Sequence, residues 1–288
     1  MVMLNNNLRI FIAVAEKGSI TETAHDLFIS QPAVSKSIKT LEDELHLKLF
    51  YRDKRKGLLL TDAGQKILLL SRQMVDMENR IYQTAFRENN FIGGRVRIAS
   101  MPMLTSIVLS QVFHDFKKKY PCVDIELIEG SSMDIIKAVE EHQVDFGFTA
   151  SPFGNLDHKV LFQDYMVAIS KNKLSNSNII NILDNPEGFI FCKSGQEIVM
   201  DELRKQKINF EKSFAVQQGE TVISLVDKGN GIGIISKLAL SLIPNQLTSI
   251  PVHPPINIDI GLVANSLKDL TPVASELKRM IELQVQNL

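Results

Sequence analysis

Residues 30–45 combine an apolar stripe with an opposite face of small, hydrogen-bonding and basic side chains. The stripe comprises Val34, Ile38, Leu41 and Leu45, whose spacing of four, three and four residues puts them on one side of a helix. A helix that starts with small polar residues and continues with two lysines carries the groups that read base edges in the DNA major groove. We expect the side chains that face DNA here to be Ser30, Gln31, Pro32, Ala33, Ser35, Lys36 and Lys39.

A shorter helix, predicted over residues 21–28, precedes the longer helix and is joined to it by a turn of only two residues, Ile29 and Ser30. Ser19 or Thr21 is placed to cap the shorter helix, and Ser30 to cap the longer one. The shorter helix is expected to pack against the stripe through Ala24, Leu27 and Phe28. Two helices joined by so tight a turn are typical of a helix-turn-helix. Any amphipathic helix pair has this pattern, however, so the flanking residues must decide between the two interpretations.

A basic turn follows, flanked by the apolar segments 47–51 and 58–60, which predict two short strands. The strands and the turn would form a wing beside the helix-turn-helix. Cationic groups at the tip of a wing can contact the phosphate backbone or enter the minor groove. The residues expected to hold phosphate or the minor groove are Thr21, Arg52, Lys54 and Arg55. The alternative is a basic loop that contacts only solvent.

A long helix is predicted from residue 62 to about residue 89, with Thr61 as its cap and Asp62 at the positive end of its dipole. Its apolar residues alternate by three and four, which gives a seam with a mean period of 3.5. The seam consists of Ile67, Leu70, Met74, Met77 and Ile81. Because a helix joined to a small domain cannot bury such a seam, we expect a second copy of the chain to cover it. Packing against the chain's own domains is the alternative.

The composition of the 288 residues is ordinary for a soluble globular protein, with 44% hydrophobic and 23% charged residues. The length predicts two or three domains, and no apolar run reaches the roughly 20 residues of a membrane span. The cysteines Cys122 and Cys192 and the six histidines lack metal-ligand spacing, so we expect neither a metal nor a cofactor. Reduced thiols indicate the cytoplasm.

The net charge of −1 argues against a protein that coats nucleic acid, but the charge is unevenly distributed. Residues 1–90 hold 13 basic and 11 acidic side chains, a net of +2, whereas the remaining 198 residues have a net of −3. Residues 48–56 alone contain five basic residues against one acid. This local patch, rather than the overall charge, predicts a contact with phosphate groups.

After a glycine-containing hinge at residues 89–94, short apolar strands alternate with helices. The predicted elements include strands at 95–99, 123–128 and 144–149, helices at 103–120 and 131–141, a repeat of the alternation over 161–262, and a last helix at 272–286. Such alternation predicts parallel sheets. Two lobes joined by two crossovers would leave a cleft between them.

Polar residues follow several of these strands and precede helices, which is where sheets of this kind bind small molecules. Hydroxyls and free amides at helix starts favour a carboxylate or a similar anion. The predicted ligand-binding residues are Ser100, Met101, Ser131, Thr149, Ser151, Ser194 and Gln218. Each of them can equally serve as an ordinary helix cap, and we expect two or three of them to contact the ligand.

Residues 8–64 resemble the winged helix-turn-helix of LysR-type transcriptional regulators. The matching residues are Phe11, Glu16, Gly18, Ser19, Thr21, Ala24, Leu27, Ser30-Gln31-Pro32-Ala33-Val34-Ser35, Ile38, Leu41-Glu42, Leu49-Phe50, Arg52, Arg55 and Leu60-Thr61-Asp62-Ala63-Gly64. The chain departs from the family pattern at Thr23, Ser37 and His46. Because the family usually has glycine at the position of His46, this departure puts the end of the DNA-reading helix in question.

The second half resembles, less sharply, the effector-binding portion of the same family, which is similar to periplasmic solute-binding proteins. The matching stretches are 96–100, 116–121, 129–130, 144–145 and 226–234. The resemblance implies an α/β protein with a winged helix-turn-helix at residues 1–61, a linker and dimerisation helix at 62–90, and a two-lobed, periplasmic-binding-protein-like effector domain at 91–288. Lobe I would hold residues 91–161 and 263–288, and lobe II residues 162–262.

The family further implies a cytoplasmic transcription regulator rather than an enzyme. It would bind dyad sites in double-stranded promoter DNA as a homodimer or homotetramer, respond to a small-molecule effector and contact RNA polymerase. The alternative is a protein that binds or converts a small molecule and uses its N-terminal part only for oligomerisation. The basic wing argues against that alternative.

Overall fold

Three helices and a two-stranded hairpin form the N-terminal unit, as the spacing of apolar residues predicts. The elements are α1 (Asn6–Lys17), α2 (Ile20–Asp26), α3 (Gln31–Leu45), β1 (Phe50–Asp53) and β2 (Gly57–Leu60). The two strands pair antiparallel, which confirms the wing. Phe11, Val14, Val34 and Leu49 are completely buried, so one apolar core holds α3 in place. This computed structural model describes residues 5–53, 55, 57–88, 93–171, 179–182, 188–193, 198–200 and 214–286.

Polar caps set the ends of these helices. Ser19 Oγ accepts a hydrogen bond from the Glu22 amide at 3.3 Å, so Ser19 rather than Thr21 caps α2. Ser30 Oγ accepts one from the Ala33 amide at 3.3 Å, as predicted for α3. Helix α3 ends where His46 adopts a φ of 53°, a left-handed conformation that favours glycine. His46 therefore ends the helix in the way that a glycine would.

Three residues expected in this core are exposed instead. Helix α2 ends at Asp26, and Phe28 takes a φ of 54°, which directs its side chain outward. The side chain of Phe28 is 92% exposed and that of Leu27 40% exposed, so the prediction that both pack against α3 is wrong. Leu45 is 37% exposed because it lies in the last turn of α3, where the chain leaves the core. Ala24 is buried as expected.

The linker helix α4 spans Asp62–Glu88. Thr61 Oγ1 accepts a hydrogen bond from the Gly64 amide at 2.9 Å, which confirms Thr61 as its cap. A Cβ atom on Gly64 would lie 2.2 Å from the carbonyl oxygen of Leu49. The helix can therefore begin directly against the wing only because this position is glycine.

Lobe I is a five-stranded sheet with the order β4-β3-β5-β12-β6. Its elements are β3 (Gly94–Ser100), α5 (Pro102–Leu104), α6 (Ser110–Lys119), β4 (Val123–Glu129), α7 (Ser132–Glu140), β5 (Phe146–Ala150), the first part of β6 (Asp157–Ser170), β12 (Asn257–Ala264) and α10 (Pro272–Val285). A π-helical turn, Thr105–Leu109, joins α5 to α6. The single regular helix predicted over residues 103–120 is therefore interrupted.

Lobe II is built on the second part of β6, with the order β6-β10-β8-β9 and with β11 pairing to β6 and β7. Its described elements are β7 (Ile180–Asn181), β8 (Phe189–Cys192), β9 (Phe214–Val216), α8 (Gly219–Asp227), β10 (Ile232–Ser236), α9 (Lys237–Leu242) and β11 (Thr248–His253). Ile169, Val222 and Val226 are completely buried between the sheet and α8.

Both lobes have mixed sheets, whereas the strand–helix alternation predicted parallel ones. β3 pairs parallel with β4 and β5, but β12 and β10 both run antiparallel to β6. The reason is β6, a strand of 14 residues that pairs with β12 up to Tyr165 and with β10 from Met166. This strand crosses between the lobes, and the chain returns between β11 and β12, where the Met166 amide donates to the Ile256 carbonyl at 2.9 Å. The exact lobe boundaries stay a prediction. Strand pairing favours boundaries at 165/166 and 256/257 over those predicted from the sequence, 161/162 and 262/263.

Candidate nucleic-acid interface and ligand cleft

The outer face of α3 consists of residues that the core leaves free. Because Val34, Ile38 and Leu41 are buried, the rotation of α3 about its axis is fixed. The exposed residues on and beside this face are Thr21, Ser30, Gln31, Pro32, Ala33, Ser35, Lys36 and Lys39. Two ammonium groups and several hydrogen-bonding groups thus point away from the domain, an arrangement that suits a DNA groove.

Glu42 joins α3 to the wing and was not predicted as a functional residue. It is only 8% exposed, and its carboxylate accepts hydrogen bonds from the Leu49 amide at 2.9 Å, the Phe50 amide at 3.4 Å and Lys48 Nζ at 2.6 Å. Burial by itself raises the pKa of Glu42, but these hydrogen bonds outweigh it and hold the pKa below its ordinary value. The sequence did contain a signal for this role. Glu42 directly follows Leu41 of the apolar stripe, and a carboxylate buried beside such a stripe requires hydrogen-bonding partners.

The wing presents its basic residues to solvent. Arg52 and Arg55 are exposed, and the Arg55 amide donates to Asp53 Oδ1 at 2.8 Å, which shapes the turn. Lys54, the third cation predicted here, lies outside the described residues. The two described guanidinium groups are free to extend from the tip of the hairpin toward a phosphate backbone.

Four of the five seam residues lie exposed along one side of α4. Leu70, Met74, Met77 and Ile81 are 54%, 50%, 56% and 45% exposed. Ile67 differs because it packs, partly buried, against the core of the N-terminal unit. In the part of the chain that the structure describes, the chain's own domains therefore leave most of the seam uncovered. A contiguous apolar stripe of this kind marks an interaction surface.

Ser100, Met101 and Thr149 meet at the carboxyl edge of lobe I. Strands β3 and β5 pair parallel there, with Ser100 beside Phe148, and the Met101 amide donates to the Phe148 carbonyl at 3.3 Å. Ser132, the first residue of α7, donates from Oγ to Met101 Sδ at 3.6 Å. The carboxyl ends of β3 and β5 and the start of α7 thus meet, and each contributes a side-chain hydroxyl to this edge.

The hydroxyls in this group differ in what they contact. Ser100 Oγ donates to the Met101 carbonyl at 3.2 Å, and Ser151 Oγ accepts from the Asp259 amide at 3.1 Å. Thr149 is completely buried, and among the described residues its Oγ1 finds no hydrogen-bond partner. A buried hydroxyl without a partner is costly, so Thr149 is the residue of this edge with an unused hydrogen-bonding group.

The remaining predicted ligand-binding residues are Ser131, Gln218 and Ser194, and of these the structure does not bring Ser131 or Gln218 together with this group. Ser131 caps α7, and hydrogen bonds from its hydroxyl and its amide lower the pKa of Asp134 below the ordinary value. The start of α7 therefore already holds a carboxylate. Gln218 lies exposed on lobe II, before α8, and its side chain forms no capping hydrogen bond. Ser194 lies outside the described residues.

Neither a metal centre nor a membrane span is found in the described part of the chain. No three histidine, cysteine, aspartate or glutamate side chains come close enough there to hold a metal ion. None of the helices over the same residues is both long and apolar enough to cross a bilayer.

Two family models match the chain. The model described as "Bacterial regulatory helix-turn-helix protein, lysR family" matches residues 5–65, and the model described as "LysR substrate binding domain" matches residues 90–285. The first match covers the helix-turn-helix and its wing, and the second covers both lobes.

Similar proteins align over nearly the whole chain. The uncharacterized HTH-type transcriptional regulator YoaU of Bacillus subtilis (strain 168) is 44% identical over 289 residues, which cover 99% of this chain and 100% of the relative. A full-length variant of OxyR from Pseudomonas aeruginosa superposes with a TM-score of 0.74 at 16% identity, covering 99% of this chain and 95% of that one. Full-length CbnR complexed with its target DNA superposes with a TM-score of 0.51 at 17% identity, covering 98% and 100%. At these identities the two structures establish the fold alone.

Proposed function

The chain belongs to the LysR family of DNA-binding transcriptional regulators, and from that premise we propose that it binds an interrupted dyad in promoter DNA as a homodimer and changes this binding when a small anion enters the cleft. The observation that supports binding to DNA is the exposed face of α3. The buried Val34, Ile38 and Leu41 fix which side of α3 faces outward. In this reading Gln31, Ser35 and Lys36 approach base edges.

The other exposed residues of this face have positioning roles. Thr21, Ser30, Lys39, Arg52 and Arg55 contact phosphate or the minor groove, and the same role is proposed for Lys54, which lies outside the described residues. Pro32 and Ala33 are small enough to let the start of α3 approach the base pairs closely. Phosphate contacts give affinity and register, whereas the few contacts to base edges give sequence preference.

Replacing Arg52 and Gln31 by alanine is expected to separate these two roles. Arg52→Ala should weaken binding to all sequences and lower the slope of log affinity against log salt by about 1. Gln31→Ala should cost about 1–3 kcal/mol at one base pair and leave the salt slope unchanged. Titration of a selected operator and its single-base variants at two salt concentrations, followed by fluorescence anisotropy, measures both effects.

Lys118→Ala is the matched control, because Lys118 is an exposed cation on α6, outside the proposed interface. If Arg52→Ala leaves both affinity and salt slope at the values of Lys118→Ala, the wing does not contact DNA.

Two copies are proposed to meet through Leu70, Met74, Met77 and Ile81, which supports a dimer with two DNA-binding heads. Assembly of dimers into a tetramer, contact with RNA polymerase and residence in the cytoplasm complete the proposal. Each follows from membership of a family of DNA-binding regulators rather than from a particular contact in the chain.

The cleft half of the proposal rests on Thr149. Its hydroxyl is buried and unpartnered, and Thr149 follows Phe148, which pairs with Ser100 at the strand ends where α/β sheets bind ligands. Because Asp134 is ionised at the start of α7, the anionic group of the effector is expected on the Ser100–Thr149 side of this edge. Ser131 and Ser151 then hold the edge in shape, and Gln218 and Ser194 contribute from lobe II.

Thr149→Val tests this assignment, because valine has the shape of threonine without the hydroxyl. The substitution removes no hydrogen bond, so the melting temperature should hold or rise. The affinity for an effector should fall about tenfold, the usual effect of losing one hydrogen bond to an ionised group. A panel of small mono- and dicarboxylates, screened by thermal shift and then by titration calorimetry, supplies the ligand.

Ser151→Ala serves as the control, since Ser151 Oγ accepts from a backbone amide of β12 and has a structural role. It should lower stability and leave ligand affinity within about twofold. Equal ligand affinity of Thr149→Val and the wild type would exclude Thr149 from the ligand site.

A further inference from the structure

A cluster of ionisable side chains binds the middle of α4 to lobe I. Arg97, on β3, pairs with Asp76 of α4 at 2.5 Å and with Asp145 of lobe I at 2.8 Å. His142 Nδ1 lies 2.8 Å from the second carboxylate oxygen of Asp76. We call these four residues, Asp76, Arg97, His142 and Asp145, the linker clasp.

Arg97 is deeply enclosed in the linker clasp. Its side chain is 11% exposed, as is that of Asp145, and that of Asp76 is 26% exposed. Burial lowers the pKa of Arg97, but the charges of Asp145 and Asp76 outweigh it and raise the pKa above its ordinary value. Asp145 also accepts from the Arg97 amide at 2.7 Å, and the Asp145 amide donates to the Arg97 carbonyl at 2.9 Å. Asp145 therefore binds both the guanidinium group of Arg97 and the backbone of β3, and it holds the guanidinium group in place where it also reaches Asp76 of α4.

The same strand leads to the cleft. Arg97 precedes Ser100 by three residues on β3, and β3 pairs with both β4 and β5. The Gly130 amide donates to the Ser100 carbonyl at 3.2 Å. One hydrogen-bonded strand therefore connects the cleft end of β3 to the residue that holds Asp76.

Further contacts attach α4 on either side of the clasp. Gln83, only 4% exposed, donates from Nε2 to the Arg95 carbonyl at 2.9 Å and accepts from the Val273 amide at 3.1 Å. Arg72 donates to the Glu141 carbonyl at 3.1 Å and to Glu16 of α1 at 3.4 Å. The linker helix thus contacts lobe I over three turns and reaches the DNA-binding unit from the same face.

Lobe I and α1 are themselves separated by a cavity of about 730 Å³. Ile12 and Glu16 line it from α1, and Arg95, Arg97 and Glu126 line it from the strands of lobe I. Among the described residues, α4 packs against both units and so spans this space.

We propose that Arg97 is a positioning residue that ties the linker helix to β3 through Asp76, so that occupation of the cleft and the direction of the DNA-binding heads depend on each other. The proposal rests on the proposed function, in that the cleft takes an effector and the heads bind DNA. Arg97 can pair with Asp76 and Asp145 at the same time in only one arrangement of α4 on β3, and other arrangements lose one of the two pairs. The two arrangements therefore differ in free energy, which is what coupling between two sites requires.

Coupling between two sites is reciprocal, so DNA can replace the effector as the probe. The experiment measures amide hydrogen exchange in the full-length protein with and without a DNA fragment recovered by selection from random sequence. In the wild type, DNA should slow exchange of residues 98–101, at the cleft end of β3, about fivefold. Asp76→Asn should bind the same DNA within about twofold and should lose the change at residues 98–101.

Two further variants separate coupling from a loss of structure. Asp76→Glu restores the charge and should restore at least part of the change. Arg80→Gln breaks a different pair between α4 and lobe I, Arg80–Asp269 at 2.9 Å, in which the side chains are 41% and 60% exposed, and should behave as the wild type. A purely structural role of Asp76 would give the same loss in Asp76→Asn and Asp76→Glu.

The outcomes are distinct. If DNA binding leaves residues 98–101 of the wild type unchanged, or if Asp76→Asn retains the wild-type change, the coupling through Arg97 is refuted. If selection recovers no DNA that the wild type binds, the proposed function fails instead.

Discussion

Met74→Asp combined with Met77→Asp is expected to convert the proposed dimer into a monomer and to weaken operator binding by at least about 100-fold. Both methionines are half-exposed on the seam of α4. In a dimer the substitution would bury four carboxylates, two from each copy, in an apolar contact. A monomer then binds one half-site and loses the gain in effective concentration that the second head supplies.

Sedimentation equilibrium gives the mass, and anisotropy with a full dyad and with a single half-site gives the affinities. Half-site affinity should stay within about threefold of the wild-type value, because the DNA-binding heads are unchanged. Gln65→Asp is the control, since Gln65 is exposed on the opposite side of α4 and the substitution adds a charge of the same sign. A dimer that persists in the double variant would exclude the seam as the interface.

The N-terminal unit could be predicted because its determinants are local. The stripe of Val34, Ile38 and Leu41, the caps Ser19, Ser30 and Thr61, and the hairpin all depend on residues a few positions apart. The errors at Leu27 and Phe28 have a local cause as well. Periodicity continued the helix past Asp26, whereas the positive φ of Phe28 ends it.

The lobes could be predicted only in outline, because pairing between distant strands decides them. Nothing in the composition of residues 157–170 distinguishes one strand that serves two sheets from two shorter strands, yet β6 makes both sheets mixed. The same limit applies to the candidate site. Ser100 and Thr149 were expected at strand ends, but which hydroxyl remains without a partner depends on packing.

Charged residues that act across units were the hardest to predict. Asp76 and Arg97 are 21 positions apart and form no recognisable motif. Glu42 and Leu49 both belong to the family pattern, but nothing in that pattern indicates that the Glu42 carboxylate accepts from the Leu49 amide seven positions on. Their importance follows from burial, because a buried charge must find compensating partners. Burial is known only once the fold is known.

Glu42→Ala is expected to destabilise the winged helix-turn-helix by about 3 kcal/mol, because it leaves the buried Leu49 amide without its acceptor and empties space beside α3. The Phe50 amide and Lys48 Nζ lose the same acceptor. Since these three groups begin the wing, Arg52 and Arg55 should lose their fixed position relative to α3. Operator affinity should therefore fall about tenfold or more even where the domain is still folded.

Exchange rates of the α3 and β1 amides measure the stability of this unit within the full-length protein, and anisotropy measures the affinity. Glu44→Ala, an exposed acid on the same helix, is the matched control and should change neither quantity appreciably. Equal exchange rates in Glu42→Ala and Glu44→Ala would show that Glu42 does not hold the wing.

Glu42→Gln and a pH series then separate the charge of Glu42 from its acceptor role. Glutamine keeps an oxygen for the Leu49 amide and loses the ion pair with Lys48, so its effect should lie between those of wild type and alanine. The pKa of Glu42 is lower in the folded chain than its ordinary value of 4.5. Its contribution is therefore complete above that ordinary value and is lost as the pH falls through the lower, folded value. The difference in stability between wild type and Glu42→Gln should shrink over that acidic range, because protonation removes the same charge that the glutamine lacks.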